Sequence, residues 1–348
     1  MSIPPLAWSC STKTVFNVDA DGKYPSLHNG RYTINHQIGK GTYAVVMQAV
    51  DQERDVDSPD RVVAIKINIK ESRYVHRAKK ELKILHSLQG HPGIVRIIDD
   101  FEHDGFVCIV MELLTRTLEL SSTLDRLMWR DADHLGEMTR QFVNVLQHLN
   151  KHKVVHADLT TVNVMIVMSP GSSSLADTNA INNVEGGKED SSLLVSPEST
   201  ESTESTESSP TRIRHCFKPP PFQIKVIDFG LSEQNNDEIQ VVKVAAQYRA
   251  PEIWLGNPFD ASIDVWSFGC IMYQLATGDR LMYMTDEDAI FKEMMRLCAA
   301  GNTRFNKLFI DQNSKTHLGD LLCRCMEWDP VDRITPDEIA QHAFVKPL

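Results

Sequence analysis

A long polar segment interrupts this chain and limits the folds that the rest can adopt. Residues 169–221 are rich in Ser, Thr, Glu, Asn, Gly and Pro, and residues 198–208 repeat the letters EST. So few apolar side chains cannot offset the entropy lost on ordering, and we therefore predict a disordered insert here. The β-rich runs on either side, 164–167 and 224–227, are predicted to pair as a hairpin, since the entropy of closing a loop grows slowly with its length. One domain therefore continues across the insert.

The pattern of apolar residues changes along the chain. Strands are predicted at 31–50, 62–69 and 107–111, with a polar loop at 51–59. Helices are predicted at 71–88, around 138–149 and at 263–276, where apolar residues recur every three or four positions or fill the segment. A strand-rich beginning followed by a helix-rich remainder predicts an α+β fold with two unlike lobes.

Charge and composition exclude several classes of protein. The formal net charge is −11, whereas nucleic-acid binding depends on Lys and Arg that neutralise phosphates, so no direct nucleic-acid contact is expected. No apolar run reaches the roughly 18 residues of a membrane-spanning helix, and residues 1–17 lack the apolar core of a signal peptide. Seven cysteines without pair spacing are typical of a reducing compartment. We expect a cytoplasmic or nuclear protein that does not contact membranes.

A glycine-containing motif of the form G-x-G-x-x-A-x-V lies between two strands. It comprises Ile38, Gly39, Lys40, Gly41, Thr42, Tyr43, Ala44, Val45 and Val46. Glycine lets backbone N–H groups approach phosphates closely, and the valine at the end of the motif is placed to cover an adenine ring. Taken alone, the motif fits a plain tight hairpin better than a nucleotide site. Other motifs must decide between the two.

The next strand carries a lysine within an apolar sequence, Val63-Ala-Ile-Lys66. A strand lysine usually lies at a solvated edge, but here a partner is available. Glu81 lies on the same side of the helix at 71–88 as the apolar Ala78 and Leu85, so we predict that its carboxylate reaches Lys66. Such a pair holds the lysine on the α- and β-phosphates of a nucleotide.

Two later motifs supply groups that phosphoryl transfer needs. The sequence HADLTTVN at 156–163 leads into one β-rich run, and Asp228-Phe-Gly230 ends the next. Phosphoryl transfer requires a carboxylate that orients the attacking hydroxyl, together with oxygen ligands for Mg²⁺. Asp158 is the candidate for the first role, and Asn163 and Asp228 are candidates for the second. Short matches of this kind often occur singly by chance.

Taken together and in this order, the motifs resemble those of protein kinases. The resemblance extends over about residues 31–345 and includes Ala250-Pro-Glu252. Further matches are HPGIV at 91–95, MELL at 111–114, DVWSFG at 264–269 and DPVDR at 329–333. The resemblance implies ATP as co-substrate with Mg²⁺ as cofactor, and a protein substrate with a Ser or Thr acceptor. It also implies a bilobal kinase fold, with a small antiparallel β-sheet N-lobe that carries one helix and a mainly helical C-lobe.

The resemblance also assigns the domain organisation and the site residues. It implies an N-terminal extension at 1–30, an N-lobe at 31–112, and a C-lobe formed by 113–168 and 222–348. It assigns catalytic roles at Lys66, Glu81, Asp158 and Thr160, and metal binding to Asn163 and Asp228. Besides the glycine motif and Lys66, the implied ATP-binding residues are Ala64, Met111, Glu112 and Leu114, with Met111 as the gatekeeper beside the adenine.

The acceptor region resembles one group of kinases, the CMGC group. The sequence Tyr248-Arg-Ala-Pro-Glu252 is most similar to the dual-specificity tyrosine-regulated, pre-mRNA-processing and Cdc-like kinases. In that group the arginine at position 249 shapes the pocket beside the acceptor residue, and Arg333 is implied to pair with Glu252. The resemblance therefore implies protein Ser/Thr substrates.

Departures from the family pattern at four positions bear on activity. Ala44 replaces the third glycine of the loop, a change that many kinases tolerate. Ala157 stands where the family carries an arginine that receives an activation-loop phosphate. Thr160 replaces the lysine two residues after the catalytic aspartate, and Ala245 replaces the threonine that bonds to this lysine. A cation beside the transferring phosphoryl group is therefore missing. Either the site has lost this charge stabilisation and decayed, or the Thr160 hydroxyl lies near Asp158, orients it and maintains a smaller network.

Three functions are consistent with these residues. A protein Ser/Thr kinase of low turnover is favoured, because the five groups Lys66, Glu81, Asp158, Asn163 and Asp228 are all present. The second is an ATP-binding pseudokinase or scaffold with little or no phosphotransfer, because of Thr160. The third is a small-molecule kinase, against which the Ala-Pro-Glu segment and Arg249 argue, since in the family they build a peptide-acceptor site.

Overall fold

The computed structural model describes residues 24–124, 131–168, 221–234, 244–299 and 316–346. The predicted insert, apart from its last residue, and most of the predicted N-terminal extension lie outside these ranges. Within them, no helix is both long enough and apolar enough to cross a membrane. The described chain has the strand-rich first half and helix-rich second half that the sequence predicts.

Five antiparallel strands form the sheet of the first lobe, in the order β1-β2-β3-β5-β4. They are β1 (Tyr32–Lys40), β2 (Ala44–Asp51), β3 (Val62–Asn68), β4 (Ile97–His103) and β5 (Phe106–Glu112). The sequence predicts all of these except β4. This strand lies at the edge of the sheet, and its sequence IIDDFEH lacks the regular apolar alternation of a half-buried strand.

The two faces of this sheet carry different residues. Val46 lies opposite Lys66, and Ala64 lies opposite Met111, so these four side chains share one face. The other face holds a buried apolar cluster of Leu27, Tyr32, Ile34, Met47, Ala49, Val63, Ile65, Ile67, Phe101, Cys108 and Val110. Because Leu27 belongs to this core, the packed chain of the first lobe begins before Arg31.

One helix, α1 (Ser72–Leu88), accompanies the sheet. Its buried positions include Ala78, Ile84, Leu85 and Leu88, which follow the predicted spacing of three and four residues. Glu81 lies among them and is only 3% exposed. A carboxylate buried on an apolar helix face requires a partner, and α1 therefore points one charged group at the sheet.

The second lobe is mainly helical. Its described helices are α2 (Leu118–Leu124), α3 (Ala132–Lys151), α4 (Pro251–Trp254), α5 (Ser262–Thr277), α6 (Glu287–Ala299), α7 (Thr316–Cys325) and α8 (Pro336–Gln341). Helix α5 is buried along nearly its whole length and ends at Gly278, whose φ of 83° is left-handed. Helices α3 and α5 contact each other through the rings of Phe142 and Phe268, with centroids 5.2 Å apart.

Two short strand pairs bring distant motifs together. Strand β6 (Val154–Val155) pairs with β9 (Glu233–Gln234), and β7 (Val164–Met168) pairs with β8 (Phe222–Val226). The predicted pairing of the two runs that flank the insert is therefore confirmed. Beyond β8, the backbone N–H of Ile227 donates to the carbonyl of Asn163 at 2.9 Å. The two loops that carry the predicted catalytic and metal-binding residues consequently lie side by side.

Candidate active site

A buried ion pair joins the sheet to helix α1. Lys66 Nζ lies 2.6 Å from Oε1 of Glu81, so the contact predicted from the sequence is confirmed. Lys66 comes from β3, where its partner across the strands is Val46, and its side chain is 11% exposed. Because both groups are buried, a shift of α1 would leave each charge without its partner and without water to replace it. The ion pair therefore depends on the position of α1.

Asp228 contacts the same ammonium group. Its Oδ1 lies 2.8 Å from Lys66 Nζ and accepts from the backbone N–H of Gly230 at 3.2 Å. A Cβ at Gly230 would lie 3.0 Å from Asp228 Oδ1 and 3.4 Å from Glu81 Oε2 and Lys66 Nζ. A side chain at this position would therefore crowd the carboxylate of Asp228 where the three charged side chains converge.

These contacts fix the charge state of the group. Burial disfavours the ammonium form of Lys66, but Glu81 and Asp228 outweigh burial and raise the pKa of Lys66 above its usual range. The charge of Lys66 lowers the pKa of Asp228 to about 2, against the opposing effect of burial. At neutral pH the site therefore presents an ammonium and an ionised carboxylate.

A buried carboxylate below the site holds the backbone of the predicted catalytic loop. Asp264, at the start of α5, accepts from the N–H groups of His156 at 2.7 Å and Ala157 at 2.9 Å. Burial raises the pKa of Asp264 to about 7, and the two N–H donors oppose that shift. Ala157 has a φ of 63°, a left-handed conformation that costs roughly 1–2 kcal/mol for a residue other than glycine. The two bonds to Asp264 offset this strain.

Asp158 follows directly and is held from two sides. Asn163 Nδ2 donates to both the backbone oxygen and Oδ2 of Asp158, at 2.9 Å each. Burial, together with the charge of Asp228, raises the pKa of Asp158 to about 6, while Asn163 and the backbone N–H of Ala245 act in the opposite direction. The Ala245 position thus contacts Asp158 through its backbone, which any amino acid provides.

Thr160 is buried beside this group, with 6% of its surface exposed. Its Oγ1 accepts from the backbone N–H of Asn163 at 3.3 Å. The hydroxyl therefore supports the turn that positions Asn163, and its effect on Asp158 passes through that residue. The sequence predicts instead a hydroxyl acting near Asp158, and that direct role stays a prediction.

The predicted nucleotide residues lie on and beside the sheet face that carries Lys66. Val46, Ala64 and Met111 share that face, and Leu114 follows the end of β5. Across β1 and β2, Gly39 pairs with Val46 and Lys40 pairs with Val45, and Ile38 precedes them in β1. The turn through Thr42 and Tyr43 is closed by Gly41 N donating to Ala44 O at 2.8 Å. The carboxylate of Glu112 is held by Lys225 at 2.6 Å and by the backbone N–H of Arg96. The Glu112 side chain is therefore engaged, and its backbone N–H donates to the carbonyl of Arg96 at 3.1 Å.

A cleft of about 540 Å³ opens between the glycine-motif turn and the acceptor segment. It is lined by Thr42, Tyr43, Asp158, Leu231, Val244, Ala245, Ala246, Arg249 and Glu287. Another cavity, of about 330 Å³, lies between His91 and α3 and contains none of the predicted site residues. The first cleft places Asp158 within reach of an incoming side chain, beside Arg249.

A polar network that the sequence does not predict supports the catalytic loop. The carboxylate of Glu119, at the start of α2, accepts from the Thr161 hydroxyl, from Gln274 Nε2 at 3.1 Å and from Arg280 Nη2 at 2.7 Å. The Tyr248 hydroxyl joins this network by donating to Gln274 at 2.9 Å. The five residues of the network come from four separate stretches of the chain, so no local pattern in the sequence reveals them.

The comparison with known families decides the identity of the fold. Residues 32–206 and 218–345 match the family model described as the protein kinase domain. The chain belongs to the protein kinase family. The expected bilobal kinase fold, with its antiparallel N-lobe sheet and helical C-lobe, is therefore confirmed. The implied pair of this kinase domain is also present: Arg333 Nη1 and Nη2 lie 2.7 and 3.0 Å from the two carboxylate oxygens of Glu252.

Individual relatives of this kinase domain agree with the predicted group. It is 26% identical to dual specificity tyrosine-phosphorylation-regulated kinase 2 of Drosophila melanogaster, over 94% of this chain and 44% of the relative. It is 26% identical to dual specificity tyrosine-phosphorylation-regulated kinase 4 of Homo sapiens, over 96% of this chain and 62% of the relative. Dual specificity protein kinase CLK1 of Mus musculus is also 26% identical, over 92% of this chain and 67% of the relative. The chain thus spans only part of the length of these relatives.

Proposed function

We propose that this chain is a protein Ser/Thr kinase that transfers the γ-phosphoryl group of ATP to a protein hydroxyl with low turnover. The observation that carries the proposal is the convergence of Lys66, Glu81 and Asp228 in one bonded group. Asp158 and Asn163 lie on the adjoining loop, and the charge of Asp228 acts on Asp158. These are the groups that phosphoryl transfer from a nucleotide requires.

In this proposal, ATP lies against the sheet face formed by Val46, Ala64 and Met111. The ammonium of Lys66 binds the α- and β-phosphates, and its contact with Glu81 fixes where the charge lies. The carbonyl of Glu112 and the backbone of Leu114 meet the adenine edge, and Ile38 covers the ring from β1. The N–H groups of the glycine motif, residues 39–45, approach the phosphates.

The donor set beside Asp158 fits Mg²⁺. Asp228 is ionised at neutral pH, as a metal ligand must be, and Asn163 bonds to Asp158 through its amide nitrogen, which leaves the amide oxygen as a ligand. The described residues contain no group of three or more His, Cys, Asp or Glu side chains arranged around a metal. Mg²⁺ in phosphate-transfer sites is usually held by one or two carboxylates together with substrate phosphates, so Asp228 and Asn163 suffice. When bound, Mg²⁺ neutralises charge on the phosphates.

Asp158 orients the acceptor hydroxyl and takes its proton. With a pKa of about 6, this carboxyl is mostly ionised at neutral pH and is a better base than a solvent-exposed aspartate. The acceptor enters through the cleft beside Arg249. Turnover is low because Thr160 carries no charge, so that the phosphoryl group lacks one fixed cation as it is transferred.

A pseudokinase is the second candidate, and Thr160 is the observation that favours it. In that case the chain binds Mg·ATP through the same residues and acts as a scaffold. The relatives named as dual specificity kinases leave tyrosine as a further acceptor to be tested. A cytoplasmic or nuclear location, without membrane or direct nucleic-acid partners, follows from the acidic charge and the cysteine content.

Mg·ATP is expected to stabilise the protein against thermal unfolding. At a ligand concentration of about 100 times Kd, the expected gain is about 2.7 kcal/mol, and Asp228→Asn should remove the part that depends on Mg²⁺. A thermal-shift titration with ATP or an unreactive analogue, with and without Mg²⁺, measures this. Asp104→Asn is the matched control, because it removes a carboxylate that is 81% exposed. The absence of Mg-dependent stabilisation in the unmodified protein would remove both the kinase and the pseudokinase.

A further inference from the structure

The segment between Asp228 and Glu252 offers no accessible hydroxyl group. Its sequence contains only Ser232 and Tyr248 of this type. Ser232 is 3% exposed and donates to the carbonyl of His156 at 3.1 Å, and Tyr248 is 5% exposed and donates to Gln274. Both hydroxyls are committed inside the fold. The position of α1 must therefore be maintained by contacts that need no phosphate on this segment.

Two cations of α1, Arg77 and Lys80, make such contacts within one helical turn of Glu81. Arg77 Nε donates to the carbonyl oxygen of Gly230 at 2.6 Å. Lys80 forms a hydrogen-bonded ion pair with the carboxylate of Glu233, and both side chains are partly buried. Arg77 and Lys80 lie four residues and one residue before Glu81, so both contacts act on the helical turn that carries the buried carboxylate.

The partners of these two cations are bonded to the segments that carry Asp228 and Asp158. Gly230 lies two residues after Asp228, and its backbone N–H donates to the Asp228 oxygen that contacts Lys66. Glu233 lies in β9 and pairs with Val155, the residue before His156. Helix α1 is thus connected at one point to the metal-binding loop and at another to the strand that begins the catalytic loop.

The glycine motif is connected to the same turn of the helix. The guanidinium of Arg77 lies 5.0 Å from the centre of the Tyr43 ring, and Tyr43 lies 5.0 Å from Tyr74. A cation over an aromatic ring is attractive, and here it places Arg77 between the motif and Gly230. A movement of α1 away from the sheet breaks these contacts together with the Lys66–Glu81 pair.

We propose that Arg77 and Lys80 are positioning residues, which hold α1 where Glu81 meets Lys66 without phosphorylation of the segment at 228–252. The kinetic part of this inference rests on the proposed kinase function, whereas the structural part does not. A partly exposed ion pair such as Lys80–Glu233 adds little to global stability, so its loss should alter the position of the helix and leave the melting temperature nearly unchanged.

A charge-reversal cycle tests this inference. Lys80→Glu and Glu233→Lys are each expected to lower kcat roughly 5-fold or more and to speed amide hydrogen exchange of α1, because like charges then face each other. The double variant should restore both. Lys79→Glu is the matched control, since Lys79 is the adjacent residue and pairs at 2.7 Å with Glu102, with both side chains 57% exposed. This control should leave kcat and the exchange of α1 unchanged, and Arg77→Gln should act like Lys80→Glu.

Amide hydrogen exchange and kinase activity test the positioning inference and the kinase proposal separately. If the unmodified protein transfers no phosphate, the kinase proposal fails. Hydrogen exchange in the unmodified protein, the two single variants Lys80→Glu and Glu233→Lys and the double variant still decides the role of Lys80. Unchanged exchange in both single variants, or a double variant that does not recover, would overturn the inference. So would a loss of activity and of α1 protection after phosphatase treatment of the unmodified protein.

Discussion

Thr160→Lys combined with Ala245→Thr is expected to raise the turnover number roughly 100- to 1,000-fold, the effect typical of one preorganised electrostatic contact. Thr160 bonds to the backbone N–H of Asn163, and Ala245 acts on Asp158 through its backbone N–H. Neither supplies charge beside the transferring group. The lysine and threonine share one network, so the double variant should gain more than the two single variants combined.

The pH dependence of kcat/KM, which reports the ionisable groups of the free enzyme, identifies the cause of this gain. In the unmodified protein, activity should fall as the pH drops through the Asp158 pKa of about 6, because the protonated carboxyl cannot accept a proton. A nearby ammonium favours the ionised carboxylate, so the acid limb of the double variant should move to lower pH. Thr160→Met with Ala245→Thr is the control of similar bulk without charge. A turnover number of the unmodified protein already on the order of 1–100 per second would contradict the account of a weak kinase.

Arg333→Met is expected to lower the free energy of unfolding by about 3–5 kcal/mol, because it leaves the carboxylate of Glu252 buried without its counter-charge. The Arg333 side chain is fully buried, and besides both oxygens of Glu252 it donates to the carbonyls of Glu327 at 3.1 Å and Ser262 at 3.0 Å. Its guanidinium also lies 5.3 Å from the centre of the Trp266 ring. The substitution thus disconnects the acceptor segment from α5 and from the chain that follows α7.

Equilibrium denaturation followed by circular dichroism measures this loss. Arg333→Lys should recover only part of it, since an ammonium cannot make the two parallel bonds of the guanidinium. Arg324→Met is the matched control, because Arg324 pairs with Asp320 on the exposed side of α7 and should change stability little. Equal denaturation midpoints for Arg333→Met and the unmodified protein would show that the buried pair does not stabilise the fold.

The sequence predicts the central ion pair because its signal is local. Lys66 lies in an apolar strand, and the helical period places Glu81 on the buried face of α1. Each residue is therefore recognised as a buried charge from its own neighbours in the sequence. Arg333 and Glu252 are 81 residues apart, and their contact is predicted only by the resemblance to a known family. Contacts between distant segments leave no period in the sequence.

Other parts of the site were hidden for physical reasons. Lys80 and Arg77 look like solvated helix cations, and only the fold shows that Glu233 and the carbonyl of Gly230 face them. The backbone N–H that Ala245 presents to Asp158 cannot be inferred from residue type, because every amino acid other than proline has one. Sequence comparison finds that a lysine is replaced at Thr160, but it does not find which bond the threonine makes.

Phosphate transfer from labelled ATP to an array of Ser, Thr and Tyr peptides decides whether this chain is an active protein kinase. We expect slow, Mg-dependent labelling of Ser or Thr peptides by the unmodified protein. No labelling is expected from Asp158→Asn, which should still gain stability from Mg·ATP because Lys66 and Asp228 remain. Mg·ATP binding without labelling of any peptide would contradict the kinase and favour the pseudokinase, and equal labelling by Asp158→Asn would show that this carboxylate does not serve the transfer.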